Sequence, residues 1–295
     1  MALSSQEHAA ATRTRRAERL AAEALAVIAA AHRHDARLRL TGGLAVRRYA
    51  TDLVFMDREF SDIDFIGLSR ESAPLQRAFT SLGYEQNRHV AQATGGTQLQ
   101  YAKRARLLKS HDHLLKRPRP LGPTSVARPV ADHIDVFLDV MRMDHDVDLR
   151  GRLDIDPVAV SPADVLLSKL QIGRLADKDV HDIVALLKDV PLGETDDNVC
   201  IDVRRLARAC AQDWGMAFDV TASLGIVAAM LPGFGLDGAE RACVGERLAA
   251  LREALARQEK SLRWRLRARV GTRLPWRREV EEREDPPLIA PSTAA

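Results

Sequence analysis

The sequence predicts an α+β protein in which strands and helices are mixed over the first half and helices alone make up the second. Three observations predict it. Residues 37–41 and 133–140 alternate apolar and polar side chains with the period of a strand. Helix-compatible stretches at 44–49 and 71–82 lie between those runs. From residue 161 onward the apolar residues follow helical spacing.

Taken in order, residues 6–34 read as an Ala-rich helix with Leu20, Ala24, Val27 and Ile28 as its apolar stripe. The run 37–41 is a short strand ending in the turn Gly42-Gly43, and a helix follows at 44–49. Asp62 and Asp64 lie two apart in another strand-like segment. Residues 71–82 form a helix ending at Gly83, and 89–101 read as a hairpin about Gly95-Gly96. The clearest strand is 133–140, with Ile134, Val136, Leu138 and Val140 on one face and Asp135, Phe137 and Asp139 on the other. Residues 161–187 form a helical pair, with Ser161 as cap and Pro162 in the first turn. These readings divide the chain into an N-terminal helix (1–35), a mixed core (36–155), a helical domain (156–270) and a disordered tail (271–295), proline-rich and charged through Pro286-Pro287.

Two of these features carry chemistry. Glycines let a backbone approach a phosphate, and unpaired N–H groups at a helix N-terminus attract its charge, so Gly42-Gly43 suits a triphosphate. On a strand, Asp62 and Asp64 leave the same face while Ile63 and Phe65 turn to the core. Two carboxylates on one edge repel unless a cation lies between them, and Asp135 can complete the cluster. Hard oxygen ligands of this kind suit Mg²⁺ or Mn²⁺, with the phosphates of a nucleoside triphosphate (NTP) filling the remaining positions.

The order Gly-Gly, Asp-Ile-Asp on a strand, then Ile134-Asp135-Val136 on a later strand resembles the nucleotidyltransferase superfamily with the DNA polymerase β-like fold. The fuller string Arg58-Glu59-Phe60-Ser61-Asp62-Ile63-Asp64-Phe65 looks most like its bacterial AbiEii-type abortive-infection toxin branch. So do Pro162-Ala163-Asp164-Val165-Leu166-Leu167-Ser168-Lys169-Leu170-Gln171 and Lys178-Asp179-Val180-His181-Asp182-Ile183. The likeness covers roughly residues 38–187. It implies a polymerase β-like core, a mixed sheet with flanking helices, and transfer of NMP from an NTP to an acceptor hydroxyl with release of pyrophosphate. RNA (tRNA among them), a protein or a small molecule could be the acceptor, and an antitoxin protein a partner. Under the resemblance Asp62, Asp64 and Asp135 bind metal; Gly42, Gly43 and Ser61 hold phosphates; Lys169 meets triphosphate oxygens, with Asp179 orienting it. A catalytically silent nucleotide- or RNA-binding protein of the same fold is the alternative.

The chain departs from the family pattern in three places. Eighteen residues separate Gly43 from Asp62, close to the spacing of the toxin branch and longer than in minimal members. Gly43 stands where many members carry serine, which leaves Thr41 or Ser61 to supply a hydroxyl. Asp139 competes with Asp135, which the pattern favours because an apolar residue flanks it on each side near the strand's start. From the residues alone, Lys169 could equally lie over the core, and Lys178 and Asp182, four apart, could simply pair.

Composition agrees. With 295 residues, 46% of them hydrophobic, the chain can bury a sizeable core. Cys200, Cys210 and Cys243 form neither a CxxC pair nor a zinc spacing, which points to buried thiols in a reducing compartment rather than to a disulfide framework. No run approaches transmembrane length and the N-terminus lacks an apolar signal core, so a soluble cytoplasmic protein with no membrane partner is expected. Net charge is only +3, but basic residues cluster twice. Lys103, Arg104, Arg106, Lys109, Lys116, Arg117 and Arg119 crowd a loop expected between strands, around His111-Asp112-His113, which reads as surface. Arg257, Lys260, Arg263, Arg265, Arg267, Arg269, Arg273, Arg277 and Arg278 are interleaved with Trp264 and Trp276, and charge with aromatics suits RNA as well as plain solvation.

Overall fold

Period-two alternation brings five short strands into one mixed sheet. The computed structural model describes residues 5–103 and 133–278. The basic residues Arg104 to Arg119, the His111-Asp112-His113 run and the tail beyond Arg278 lie outside the described residues.

Helix α1 (Ser5–Arg33) leads into β1 (Leu38–Thr41), α2 (Gly42–Tyr49), β2 (Ile63–Gly67), α3 (Ser72–Ser81), β3 (Tyr84–Gln86), α4 (Arg88–Ala93), β4 (Gln98–Lys103) and β5 (Ile134–Leu138). The sheet order is β1-β2-β5-β4-β3. Only β2 and β5 run parallel; the other pairings are antiparallel. A parallel pair needs a crossover, which here carries α3, β3, α4 and β4. Leu20, Ala24, Val27, Ala30 and Ala31 of α1 join the buried core, and α1 packs against α3 and β1.

After β5 the chain forms a small ribbon, β6 (Val140–Arg142) with β7 (Asp146–Asp148), then helices α5 (Pro162–Leu170) and α6 (Asp177–Asp189). Ser161 caps α5, its hydroxyl accepting from the Asp164 N–H at 3.3 Å, with Pro162 in the first turn. Both helices pack on α2. The two-residue strands β8 (Leu192–Gly193) and β9 (Ile201–Asp202) precede α7 (Val203–Gln212), α8 (Trp214–Met230), α9 (Gly238–Arg257) and α10 (Leu262–Val270). One continuous hydrophobic core runs from the sheet through α5, α6, α7, α8 and α9.

Four expectations need correction. The run 89–101 is not a hairpin: Asn87 caps α4 by accepting from the His89 N–H at 3.2 Å, and Gly95 and Gly96, at φ +60° and +76°, stop that helix before β4 begins. A Gly-Gly pair satisfies the left-handed demand of a helix stop as readily as that of a hairpin turn. The strand read at 133–140 breaks at Asp139, whose φ is +64°, and Val140 starts the separate ribbon. Residues 271–278, expected to open a disordered tail, pack back on the fold. Trp276 Nε1–H and Arg277 both donate to the buried Asp219 at 3.1 Å, and the Arg278 N–H donates to the Asp144 carbonyl at 3.0 Å. Finally, Trp214–Gly233 is long and apolar enough, by length and composition, to cross a membrane. Met216, Val220, Leu224 and Val227 on its inner face belong to the core, and Asp219 is buried with them.

Candidate active site

Strand direction builds the site. Because β1 runs antiparallel to β2 and β2 parallel to β5, the end of β1 and the starts of β2 and β5 meet at one end of the sheet. The pairing register sets Thr41 opposite Asp64, and Asp64 opposite Asp135. Asp62 lies one residue before β2 rather than within it, and the Ser61 hydroxyl donates to its carboxylate at 2.8 Å. His133, just before β5, bridges the acids: Nε2 is 3.0 Å from Asp135 and Nδ1 is 3.6 Å from Asp62. Gln100 on β4 donates to Asp135 at 3.1 Å.

The acids crowd one another. Burial, then Asp135 and Asp62, push the Asp64 carboxyl up to about 7. Its hydrogen bond to Asp135, against the opposing effect of burial, holds the His133 imidazole above its ordinary range, and the charges of Asp135, Asp62 and Asp64 add to this. Among the described residues, no group of three or more Asp, Glu, His or Cys side chains is already drawn around a common cation position. Asp139 does not join the acids. Its carboxylate accepts from the Ser69 N–H at 2.9 Å and from the Ser69 hydroxyl at 2.5 Å, capping the turn before α3.

Helix α2 begins at the two glycines themselves. Gly42 has φ +65°, and a Cβ there would fall 2.3 Å from Asp64 Oδ2, so any side chain would displace the carboxylate. A Cβ on Gly43 would fall 2.1 Å from the Arg58 guanidinium. Thr41, the residue preceding the helix, offers no side-chain cap, and its buried hydroxyl has no hydrogen-bond partner among the described residues.

Below this turn lies a charge network. Lys169, the one residue of α5 that is not buried, is 2.7 Å from Asp179 and 2.9 Å from Asp182 on α6. Burial works against its charge, but Asp182 and Asp179 hold its ammonium above the ordinary lysine range. Asp182 also takes a two-point contact from Arg58, at 2.8 and 2.9 Å, and the guanidinium lies over the Phe60 ring at 4.1 Å. Asp179 reaches back to the Ala176 N–H at 3.4 Å, fixing the start of α6.

Every residue singled out for the site therefore lies at one end of the sheet or on the α5–α6 pair beside it. Three contributors were not singled out as such. Asp182, read as a partner for Lys178, instead points inward to Arg58 and Lys169; the available signal was an acid on the helix face shared with Asp179 and Ile183. Arg58 sat in the motif string without a role, and His133 immediately precedes the strand. No protein-family model matches the chain, and no curated protein matches it.

Proposed function

We propose that the chain is a metal-dependent nucleotidyltransferase with a polymerase β-like core, moving NMP from an NTP to an acceptor hydroxyl and releasing pyrophosphate. The observation that carries this reading is the register of Asp64 with Asp135 on adjacent parallel strands, with Asp62 beside them and the N-terminus of α2 at the same sheet end. A half-buried carboxyl pushed up to about 7 by desolvation and then by two neighbouring acids fits a site completed by a hard divalent cation, Mg²⁺ or Mn²⁺. Asp62, Asp64 and Asp135 would hold it, and when bound it supplies charge neutralisation at the transferring phosphoryl group.

The chain's own groups do the positioning. The Gly42 and Gly43 amides meet the β- and γ-phosphates, and the unpartnered Thr41 hydroxyl or Ser61 supplies the hydroxyl that Gly43 lacks. Lys169 brings positive charge, with Asp179 and Asp182 fixing its ammonium. Asp135 helps activate the acceptor hydroxyl, whose oxygen bonds to the α-phosphorus as the bond to pyrophosphate breaks. The acceptor would be RNA (tRNA included), a protein or a small molecule, and the chemistry suits the toxin of a toxin–antitoxin pair.

The double neutralisation of Lys169 favours one second reading, a silent nucleotide- or RNA-binding protein of the same fold. One experiment separates the two. Protein and its Asp62→Asn variant are incubated with each α-labelled NTP, Mg²⁺ and total cellular RNA and protein. Label that depends on Asp62 supports transfer; NTP binding without label or pyrophosphate, across the four NTPs, supports the silent reading.

A further inference from the structure

The C-terminal helix carries charge that the described fold does not use. From Lys260 to Arg278 the chain holds eight basic side chains and no acidic one. Some are engaged. Arg267 donates to the carbonyls of Gly271, Leu274 and Pro275, while Arg277 and Arg278 reach Asp219 and Asp146. Arg263, Arg265, Arg269 and Arg273 are exposed and form no hydrogen bond or ion pair with a described residue. At 100° per residue, Arg265 and Arg269 flank Leu262 and Leu266 on one side and Arg263 flanks them on the other. Those leucines are 67% and 53% exposed. An arginine-framed apolar stripe without its own counter-charges fits an occupant that is acidic and partly apolar.

The chain contains such a segment. Residues 279–285 read Glu279-Val280-Glu281-Glu282-Arg283-Glu284-Asp285, five acids to one base, and Leu288-Ile289 follow two prolines. The last described residues run from α10 to the β6–β7 ribbon, where the Arg278 N–H meets the Asp144 carbonyl at 3.0 Å. Arg267, in the middle of α10, holds the carbonyls of Leu274 and Pro275, so the backbone doubles back along the helix three residues before Arg278. Eleven extended residues, 279–289, reach about 36 Å, whereas a nine-residue helix is about 13.5 Å long, so the segment has length both to return from the ribbon and to lie along α10.

We propose that the acidic segment 279–289 docks on the exposed face of α10, its carboxylates on Arg263, Arg265, Arg269 and Arg273 and its apolar end over Leu262 and Leu266. The segment shields the arginine face from other polyanions. This assignment stands apart from nucleotidyl transfer and does not depend on it.

The test is hydrogen exchange on the full chain, compared with a full-length variant in which Glu279, Glu281, Glu282 and Glu284 become Gln and Asp285 becomes Asn. A short tether gives an effective concentration of about 1 mM, so even an intrinsic Kd of about 0.5 mM would slow exchange of the α10 amides about threefold. The slowing should vanish in the neutralised variant and in about 1 M salt, where charges are screened beyond about 3 Å. Amides of α1 serve as the internal control for intact folding. Arg265→Gln with Arg269→Gln should reproduce the loss, and combining both sets should add nothing further. Equal α10 exchange in wild type and the neutralised variant overturns the proposal. Protection that grows with protein concentration overturns the intramolecular assignment in favour of a second copy, and protection that appears only when RNA is added overturns it in favour of that partner.

Discussion

Asp182→Asn removes one negative charge from the junction between α6 and the segment that carries Arg58, while keeping the side chain's shape. Asp182 is 0% exposed and sits between Arg58, 17% exposed, and Lys169, 11% exposed. Lys169 keeps Asp179 at 2.7 Å, but Arg58 loses its only carboxylate among the described residues. Breaking a buried pair by removing one partner costs about 3–5 kcal/mol; because Lys169 stays paired and Arg58 retains some solvent, the low end, about 3 kcal/mol, applies. That is a large share of the roughly 5–15 kcal/mol typical of a folded domain. Urea denaturation of wild type and variant at one pH measures it, with the midpoint expected to fall at unchanged slope. Adding Arg58→Met to Asp182→Asn should restore part of the loss, because the stranded cation is then gone, giving a coupling of at least about 1 kcal/mol. A loss below about 1 kcal/mol, or strictly additive single changes, would refute the argument that these groups form one buried unit.

Three further outcomes follow from the same geometry. Since the folded Asp64 keeps its proton up to about 7 whereas an unfolded aspartate releases it near 3.8, the metal-free native state binds more protons across that window. The contribution of Asp64 to stability should therefore fall as pH rises from about 4 to 7; thermal melts in chelator should fall more steeply over that window in wild type than in Asp64→Asn, and an identical slope in both would remove Asp64 as a source. Gly42→Ala must place a Cβ 2.3 Å from Asp64 Oδ2 at φ +65°, so about 1–2 kcal/mol of backbone strain is expected together with loss of the Asp64-dependent melt profile. Trp276→Leu removes a hydrogen bond to the buried Asp219, and about 1–2 kcal/mol of stability should go with it, read by chemical denaturation and by faster proteolysis near residue 276.

What the sequence made legible was whatever repeats locally. Asp64 and Asp135 stand out because a carboxylate interrupts an apolar run of period two, and the order of the runs brings them together once β2 and β5 pair. Gly42-Gly43 stands out because few residue pairs can both enter the left-handed region and leave room for a neighbour. Hidden features depend on distant partners. Arg58 and Asp182 are 124 residues apart, so nothing near either one announces the other. Residues 271–278 have the composition of a tail, and only the buried Asp219, also held by His145 at 2.7 Å, turns Trp276 and Arg277 into anchors. The misread at Gly95-Gly96 has the opposite cause: the local signal was real, but two structures share it.

The eighteen residues between Gly43 and Asp62 show why a departure from minimal spacing can be structural. Asp189 at the end of α6 accepts from the N–H groups of Thr51 and Asp52 at 2.7 and 3.1 Å. Phe55 stacks on His181 with ring centroids 4.6 Å apart, and Met56 is fully buried. Arg13 of α1 holds Asp57 with its shorter contact at 2.6 Å, and Arg16 donates to the Phe60 carbonyl at 2.8 Å. The segment thus runs from the end of α2 out to α6 and back past α1 before entering β2, and along it the Arg58 guanidinium comes to lie against Gly43. The added length gives the helix bearing Asp179 and Asp182 a second tie to the sheet end bearing Asp62, Asp64 and Asp135, beside the direct packing of α6 on α2.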